Sequence, residues 1–337
     1  MDAFFAAIEQ KRHPELVGQP LVIGGRGDPT ARGVVSTASY EARRFGIHSG
    51  MPLRMTYRLC PQAVFLPVDY EEYARVSAQV KAVLKETTAL VEDAGIDEAY
   101  LDITDVSLTA QEVAARMKHR IREETALTCS IGIAPNKLLA KIASDMQKPD
   151  GLTIISETGI EERLAPLPVR KIPGVGPVTE ERLGHMGIAT IGQLASLPLD
   201  RLVHDFGHAH GRFLYEAARG QDDTPVITHW EPKSRGREIT FQEDTGDRQK
   251  ILRTLAALSR EVADEIAQQG YQARTVSIKV RFSDFETHTR GKTLDEATDS
   301  YEALKRAAFE CLGRLELYKK VRLIGVRVGG LQKSETQ

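Results

Sequence analysis

Two acidic residues, Asp97 and Glu98, stand side by side in GIDEAYLD, residues 95–102. Their apolar flanks predict two short strands joined by a turn, which places both carboxylates at a hairpin tip. Like charges repel, and a partly buried carboxylate is unfavourable unless a cation accompanies it. Mg²⁺ suits such a pair, because it binds through one or two carboxylates together with substrate phosphates. An exposed acidic turn is the better interpretation of the octapeptide taken alone.

Tyr40 and Arg43 lie three residues apart in STASYEARRFGIHSGMP, residues 36–52, a segment predicted to be helical. That spacing places both side chains on one helical face. A guanidinium offers charge-assisted forked donors and a phenol a directional one, so the pair suits a phosphate. A solvated helix face is the better interpretation for this pair alone.

A glycine-rich turn is predicted in KIPGVGP, residues 171–177, where Gly174 and Gly176 precede Pro177. The glycines permit a tight turn that exposes backbone N–H groups, and the helix opened by Pro177 points its positive end the same way. Such a turn holds a phosphate without reading bases, although a plain helix connection has comparable weight. A second turn predicted in DFGHAHG, residues 205–211, favours a protein that binds the duplex backbone.

Other chemistries find little support in the sequence. Cys60, Cys129 and Cys311 are too far apart for paired-cysteine zinc sites or a disulfide framework. Ser, Cys and His residues show no arrangement typical of a covalent nucleophile. The chain has neither an apolar run of about 18 residues nor a signal-peptide layout, so we predict a cytoplasmic protein without a membrane segment.

The chain has 337 residues, more than one ordinary core, and Pro- and Gly-rich breaks at residues 164–177 and 220–236 divide it into three parts. The first part alternates predicted strands and helices, including a strand at residues 128–134 and helices near residues 108–125 and 136–146. The second is predicted to consist of short helices. The third has the order βαββαβ, which predicts one sheet with helices on one face.

One strand of the third part shows strict alternation. In RTVSIKVRF, residues 274–282, Val276, Ile278, Val280 and Phe282 alternate with polar residues. Lys279 and Arg281 therefore lie on the sheet face that the helices leave open. We expect that face to meet a partner.

Together these segments resemble the Y family of lesion-bypass DNA polymerases, and within it the bacterial polymerase IV branch. The resemblance rests on six segments in family order across nearly the whole chain: MDAFFAAIEQ, VVSTASYEARRFGIHSGMP, GIDEAYLD, SIGIAPNKLLAKIASDMQKPDGL, KIPGVGP and ARTVSIKVRFSDF. It implies an α+β multidomain fold, the right-hand polymerase with palm, fingers and helical thumb, followed by a βαββαβ little-finger domain. The implied bounds are palm 1–10 and 70–157, fingers 11–69, thumb 158–222 with helix-hairpin-helix turns, linker 223–233 and little finger 234–331.

The resemblance also implies roles for single residues. Asp97 and Glu98 are the catalytic carboxylates and metal ligands, and two Mg²⁺ ions are expected. Phe5 is the aromatic plate that discriminates against the 2′-hydroxyl of a ribonucleotide. The implied nucleotide-binding residues are Phe4, Phe5, Ser36, Thr37, Tyr40, Arg43 and Lys148, with Asp145 supporting Lys148. The implied DNA-binding residues are Gly174, Gly176, Lys279 and Arg281.

The start of the chain departs from the family. Relatives begin with an apolar strand ending in Asp-x-Asp, whose first aspartate is a further metal ligand, whereas here only the second, Asp2, is present. Without that strand the centre of the palm sheet is left unpaired. We expect Met1 to be an internal methionine of a longer natural protein; a naturally inactive remnant is the alternative. The codons upstream of Met1 distinguish the two.

The implied activity is template-directed DNA synthesis of the translesion type, with primer–template DNA and dNTPs as partners, by a monomer. The sliding clamp is a further implied partner, although GGLQKSETQ, residues 329–337, lacks the glutamine-plus-aromatic sequence by which many relatives dock on it. Two other functions compete. The first is a non-catalytic, sequence-indifferent DNA-binding protein, which the absence of the first aspartate favours. The second is a nucleotide cyclase built on a palm-like sheet, which would use the same carboxylates. The cyclase ranks last, because it gives no reason for KIPGVGP or for the βαββαβ unit.

Overall fold

The computed structural model describes residues 1–334. The chain divides into two compact units, each with its own hydrophobic core. The first comprises residues 1–28, 34–51 and 55–229, and the second comprises residues 29–33, 52–54 and the chain from Trp230 onward. Within the described residues, no helix is long and apolar enough to cross a membrane.

The first unit opens with a helix and a three-stranded sheet. Its elements are α1 Phe4–Arg12, β1 Leu21–Gly24, β2 Val35–Ala38, α2 Tyr40–Arg43, α3 Leu53–Leu59 (which begins in residues of the second unit), β3 Val64–Leu66 and α4 Tyr70–Lys85. The strand order is β2-β1-β3, with β2 antiparallel and β3 parallel to β1. Helix α1 buries Phe4, Phe5, Ile8 and Glu9, so it lies inside the unit rather than on its surface.

Two further sheets of two strands follow. They and their helices are β4 Val91–Gly95, β5 Glu98–Leu101, α5 Ala110–Thr125, β6 Ile131–Ile133, α6 Lys137–Met146 and β7 Leu152–Ile154. Strands β4 and β5 pair antiparallel, whereas β6 and β7 pair parallel. Strands β5 and β6 both line a cavity of about 200 Å³.

Short helices complete the first unit: α7 Ile160–Leu164, α8 Pro177–His185, α9 Ile191–Ala195, α10 Leu199–Phe206 and α11 His208–Ala218. They enclose an apolar core that includes Leu183, Leu194, Leu202 and Leu214. The predicted loop of residues 205–211 is wrong in extent, since α11 begins at His208. Residue 211 therefore lies inside that helix. It is a glycine because an added Cβ would meet the Leu202 carbonyl oxygen at 2.5 Å.

The second unit is one antiparallel sheet covered by two helices. Its elements are β8 Ser234–Thr245, α12 Arg248–Gln268, β9 Tyr271–Phe282, β10 Thr287–Thr298, α13 Tyr301–Gly313 and β11 Val321–Lys333. The strand order is β10-β9-β11-β8. The alternating Val276, Ile278, Val280 and Phe282 are buried in one core with apolar residues of α12 and α13. The predicted βαββαβ order and its buried face are confirmed.

Two predicted elements are shorter in the structure. The helix predicted across residues 36–52 covers only Tyr40–Arg43, because Thr37 pairs with Ile23 in the sheet and Ser39 caps the helix. The strand predicted at residues 128–134 is reduced to Ile131–Ile133.

Candidate active site

The two adjacent carboxylates lie where β4 turns into β5. Gly95 pairs with Glu98 across the hairpin, which leaves Ile96 and Asp97 in the turn itself. Asp97 is half-buried and Glu98 is exposed. Among residues 1–334, no side chain forms a hydrogen bond or ion pair with the Asp97 carboxylate, so this group is available to a ligand.

A cavity of about 330 Å³ opens beside Asp97 and lies entirely within the first unit. The size is that of a small-molecule site. All seven residues predicted to bind a nucleotide line it, namely Phe4, Phe5, Ser36, Thr37, Tyr40, Arg43 and Lys148. Glu98 lines the neighbouring cavity instead, and Asp97 and Lys148 line both. Residues from five separate segments therefore converge at one carboxylate.

The aromatic side of the cavity comes from the start of α1. Phe4 and Phe5 are 2% and 8% exposed, so both rings are largely buried where they line the cavity. The Phe5 ring stacks on Tyr73 of α4, with the centroids 4.2 Å apart and the planes at 16°. Tyr70 meets it edge-on, with centroids 6.1 Å apart.

Tyr40 and Arg43 form the polar side of the cavity. The Arg43 guanidinium carbon lies 4.7 Å from the centre of the Tyr40 ring, and Arg43 Nε donates to the Ala38 carbonyl. The Tyr40 hydroxyl is buried and has no hydrogen-bond partner within residues 1–334. Burial raises the pKa of Tyr40 and the charge of Asp2 raises it further, whereas the neighbouring Arg43 acts in the opposite direction without reversing the increase. A buried donor without a partner is unfavourable, and an acceptor such as a phosphate oxygen in the cavity would satisfy it.

Four charged residues form a chain of ion pairs between the cavity, α6 and the hairpin. Lys148 Nζ lies 2.6 Å from Asp145 Oδ1, as the resemblance implied. Lys141 pairs with Glu98 and approaches Asp145 at 3.9 Å. Burial lowers the pKa of Lys141, but the hydrogen bond and charge of Glu98 outweigh it, so the pKa is raised. This Lys141–Glu98 pair and the lining residue Ser49, which donates to the Ser36 carbonyl, were not predicted from the sequence.

The carboxylate of Asp2 is engaged in internal hydrogen bonds. It is buried and accepts hydrogen bonds from Thr128 Oγ1 at 2.9 Å and Ser130 Oγ at 2.7 Å. It also accepts one from the backbone N–H of Asp150 at 2.9 Å. Asp2 therefore fixes the turn that carries Lys148.

Asp97 and Glu98 are the residues able to hold a cation at this site. Within the described chain, no group of three or more His, Cys, Asp or Glu side chains is arranged for a metal. Two carboxylates fit a hard cation whose remaining ligands are water and substrate phosphates. They do not fit a site that must be closed by protein ligands alone.

The predicted phosphate-binding turn has the expected geometry. Gly174 adopts a left-handed φ of 96°. Gly176 is the N-cap of α8, with Pro177 as its first residue. Both glycines are exposed, and their N–H groups lie at the positive end of a nine-residue helix.

The open face of the second unit is basic but internally paired. Lys279 Nζ lies 2.8 Å from Glu238 Oε2, and Arg281 Nε donates to Thr287 Oγ1. Both side chains stay partly exposed on the face opposite the helices.

Comparisons with known proteins decide the family. Sequence models match three regions: the impB/mucB/samB family at residues 1–145, the DNA polymerase-iota thumb domain at 170–222, and the impB/mucB/samB C-terminal domain at 232–337. A protein of Methanoculleus marisnigri named DNA polymerase IV is 46% identical, with 98% of this chain and 93% of that protein covered. One of the same name from Streptococcus sanguinis is 40% identical, with 98% and 95% covered. The chain belongs to the Y family of DNA polymerases.

Solved structures of Y-family polymerases support the same family assignment. The polymerase matches a Y-family chimera of Dbh and Dpo4 with a TM-score of 0.88 at 30% identity, covering 99% of this chain and 98% of that one. It matches DinB from Sulfolobus solfataricus with a TM-score of 0.67 at 30% identity, covering 97% and 96%. The predicted fold, a right-hand polymerase of palm, fingers and helical thumb with a C-terminal little finger, is confirmed. The protein is a DNA-directed DNA polymerase of the translesion type.

Proposed function

We propose that this polymerase joins a dNTP to a primer 3′ end in the cavity beside Asp97, by Mg²⁺-assisted phosphoryl transfer. The observation that carries the proposal is the convergence of an unpaired carboxylate, an orphan buried phenol and two cationic side chains on one cavity. Phosphoryl transfer requires mainly positioning and charge stabilisation. This set of residues supplies both.

Each side chain then has a defined part. Asp97 and Glu98 would hold Mg²⁺, and the resemblance implies two ions. When bound, these ions would supply activation of the attacking oxygen and charge stabilisation of the leaving one. Arg43 and Lys148 compensate the charge of the triphosphate, and the Tyr40 hydroxyl donates to it. Phe4, Ser36 and Thr37 line the rest of the nucleotide pocket.

Phe5 excludes the wrong sugar. Its ring lines the cavity and is stacked on Tyr73, so a 2′-hydroxyl beside that ring meets an aromatic plate. A deoxyribose lacks that oxygen and fits. Discrimination here is steric.

We propose the following domain bounds: palm 1–10 and 70–157, fingers 11–69, thumb 158–222, linker 223–233 and little finger 234–331. The thumb and C-terminal matches at residues 170–222 and 232–337 support the last bounds. In the thumb, the N–H groups at Gly174 and Gly176 bind backbone phosphates of primer–template DNA. On the little finger, Lys279 and Arg281 do so.

The remaining partners follow from sequence features. We propose a monomer in the cytoplasm, where the free, buried Cys60, Cys129 and Cys311 stay reduced. The sliding clamp stays a prediction. The segment on which the clamp prediction depends is residues 329–337, and residues 335–337 of it lie outside the described residues.

Primer extension tests the proposal. With Mg²⁺ and a template presenting each base in turn, we expect addition of the complementary dNTP only. Salt-sensitive duplex binding without incorporation would instead establish the non-catalytic DNA-binding protein, which nothing in the comparisons supports. Release of a cyclic nucleotide would establish the cyclase.

A further inference from the structure

The ring that backs Phe5 is itself fixed by a buried carboxylate. Tyr73 is 0% exposed, and its hydroxyl donates to Glu9 Oε1 at 2.8 Å. Glu9 lies four residues after Phe5 on α1, so the two share a helical face. Phe5 and Glu9 of α1 thus both contact Tyr73 of α4, Phe5 through a ring stack and Glu9 through a hydrogen bond.

A buried carboxylate needs compensation, and Glu9 has it. Its side chain is 6% exposed and pairs with Arg12 Nη1 at 3.1 Å, while His13 Nε2 lies 3.9 Å away. Arg12 also binds Asp69, the N-cap residue of α4, at 2.9 Å. The carboxylate that holds the Tyr73 hydroxyl is therefore anchored at the start of the helix that carries Tyr73.

We propose that Glu9, acting through Tyr73, is a positioning residue that sets how strongly this polymerase discriminates against ribonucleotides. The inference rests on the proposed role of Phe5. A plate excludes an extra oxygen only if it cannot recede, since even a shift of 0.5–1 Å changes a van der Waals contact greatly. Tyr73 occupies the space into which the Phe5 ring would recede, and the bond to Glu9 keeps Tyr73 there.

A purely structural role for the Glu9–Tyr73 pair predicts something different. Loss of the bond would then lower stability and affect insertion of dNTPs and rNTPs alike. A positioning role predicts a change in the ratio of the two, because only the nucleotide with a 2′-hydroxyl meets the plate.

The experiment measures kcat/KM for insertion of a dNTP and of its matching rNTP opposite the same template base. Tyr73→Phe keeps the ring and removes the hydroxyl, and Glu9→Gln keeps the shape and removes the charge. We expect each to reduce discrimination by about threefold to tenfold. The double variant should lose little more than Tyr73→Phe alone, because Tyr73→Phe already removes the bond that Glu9→Gln weakens.

Three reference variants complete the design. Tyr73→Leu, which opens space behind the plate, should reduce discrimination more than Tyr73→Phe. Val83→Ala, a buried truncation on α4 in a separate core cluster, should lower thermal stability and leave discrimination unchanged. Phe5→Ala should abolish most discrimination.

The outcomes separate the two claims. If Phe5→Ala loses discrimination while Glu9→Gln and Tyr73→Phe retain it, the positioning role is wrong and the Phe5 assignment stands. If Phe5→Ala retains discrimination against ribonucleotides, both the Phe5 assignment and the positioning role of Glu9 are wrong. Glu9→Gln and Tyr73→Phe are nearly isosteric, so they keep the test decisive even if Tyr73→Leu fails to fold.

Discussion

The ammonium of Lys148 lies 2.6 Å from the carboxylate of Asp145, one helical turn before it in the sequence. Asp145 is also 3.9 Å from Lys141, which pairs with the catalytic candidate Glu98. One carboxylate therefore lies between the group proposed to bind the triphosphate and the partner of the proposed metal ligand. Its position suggests that Asp145 orients Lys148.

Asp145→Asn should raise the KM for a dNTP about threefold to fivefold with little change in kcat, since an exposed ion pair contributes modestly to orientation. Lys148→Ala should raise it about tenfold to a hundredfold, because a charge-assisted phosphate contact is lost. Steady-state single-nucleotide insertion measures both. Asp205→Asn, which breaks an Arg201 pair of equal length in α10, is the matched control. An unchanged KM in Lys148→Ala would contradict the triphosphate contact.

The turn at Gly174 gives a second prediction. Gly174→Ala forces a side chain into a left-handed φ of 96° and brings a Cβ within 3.1 Å of Phe213. We expect a loss of about 1–2 kcal/mol in stability. We also expect about threefold to tenfold weaker binding to primed duplex, measured by fluorescence anisotropy.

Gly187→Ala is its control, because Gly187 has a φ of 79° and nothing within 4 Å of the added Cβ. It should share the backbone strain and keep the affinity for DNA. Equal affinities in the two variants would argue that the turn at Gly174 does not contact the duplex.

The open face of the little finger predicts a salt effect. Lys279→Ala and Arg281→Ala should each reduce the slope of log binding constant against log salt by about one, as expected for one lost phosphate contact. Lys305→Ala, on helix α13 across the sheet, should leave the slope unchanged. Slopes that match wild type in all three variants would place the DNA elsewhere.

Much of this site could be predicted because its signals are local. The hairpin tip at Asp97 follows from apolar flanks around two acids, and the alternation in β9 identifies its buried face. The short extent of α2 could not be predicted, since the strand before it depends on pairing with a separate strand that contains Ile23, 14 residues before its partner Thr37. The partners in the Glu98–Lys141 pair are 43 residues apart, and those in the Glu9–Tyr73 pair are 64 residues apart. A local sequence pattern therefore cannot predict either contact.

Acid should affect the turn that carries Lys148. A hydrogen bond from Lys118 holds the pKa of Asp150 below its usual value, with Arg122 adding to the effect. The resulting stabilisation is present above the ordinary carboxyl pKa of about 3.9 and is lost as the pH falls through the lowered value. Thermal denaturation should therefore show an acid-induced loss of Tm below about pH 4.

Asp150→Asn should reduce that acid-induced loss by about 1–2 °C, a small effect because the side chain is 40% exposed. Asp105→Asn, at an exposed loop position, should not change it. If the two variants lose stability equally on acidification, the Asp150 pairs contribute nothing measurable.

The central claim is that Asp97 and Glu98 hold Mg²⁺ against the triphosphate. Single-turnover insertion of one complementary dNTP by Asp97→Asn tests it most directly, with Asp93→Asn on the same hairpin as control. The metal contribution of several kcal/mol predicts a loss of about a thousandfold or more for Asp97→Asn and near wild-type rates for Asp93→Asn. Insertion by Asp97→Asn at the wild-type rate would contradict the account.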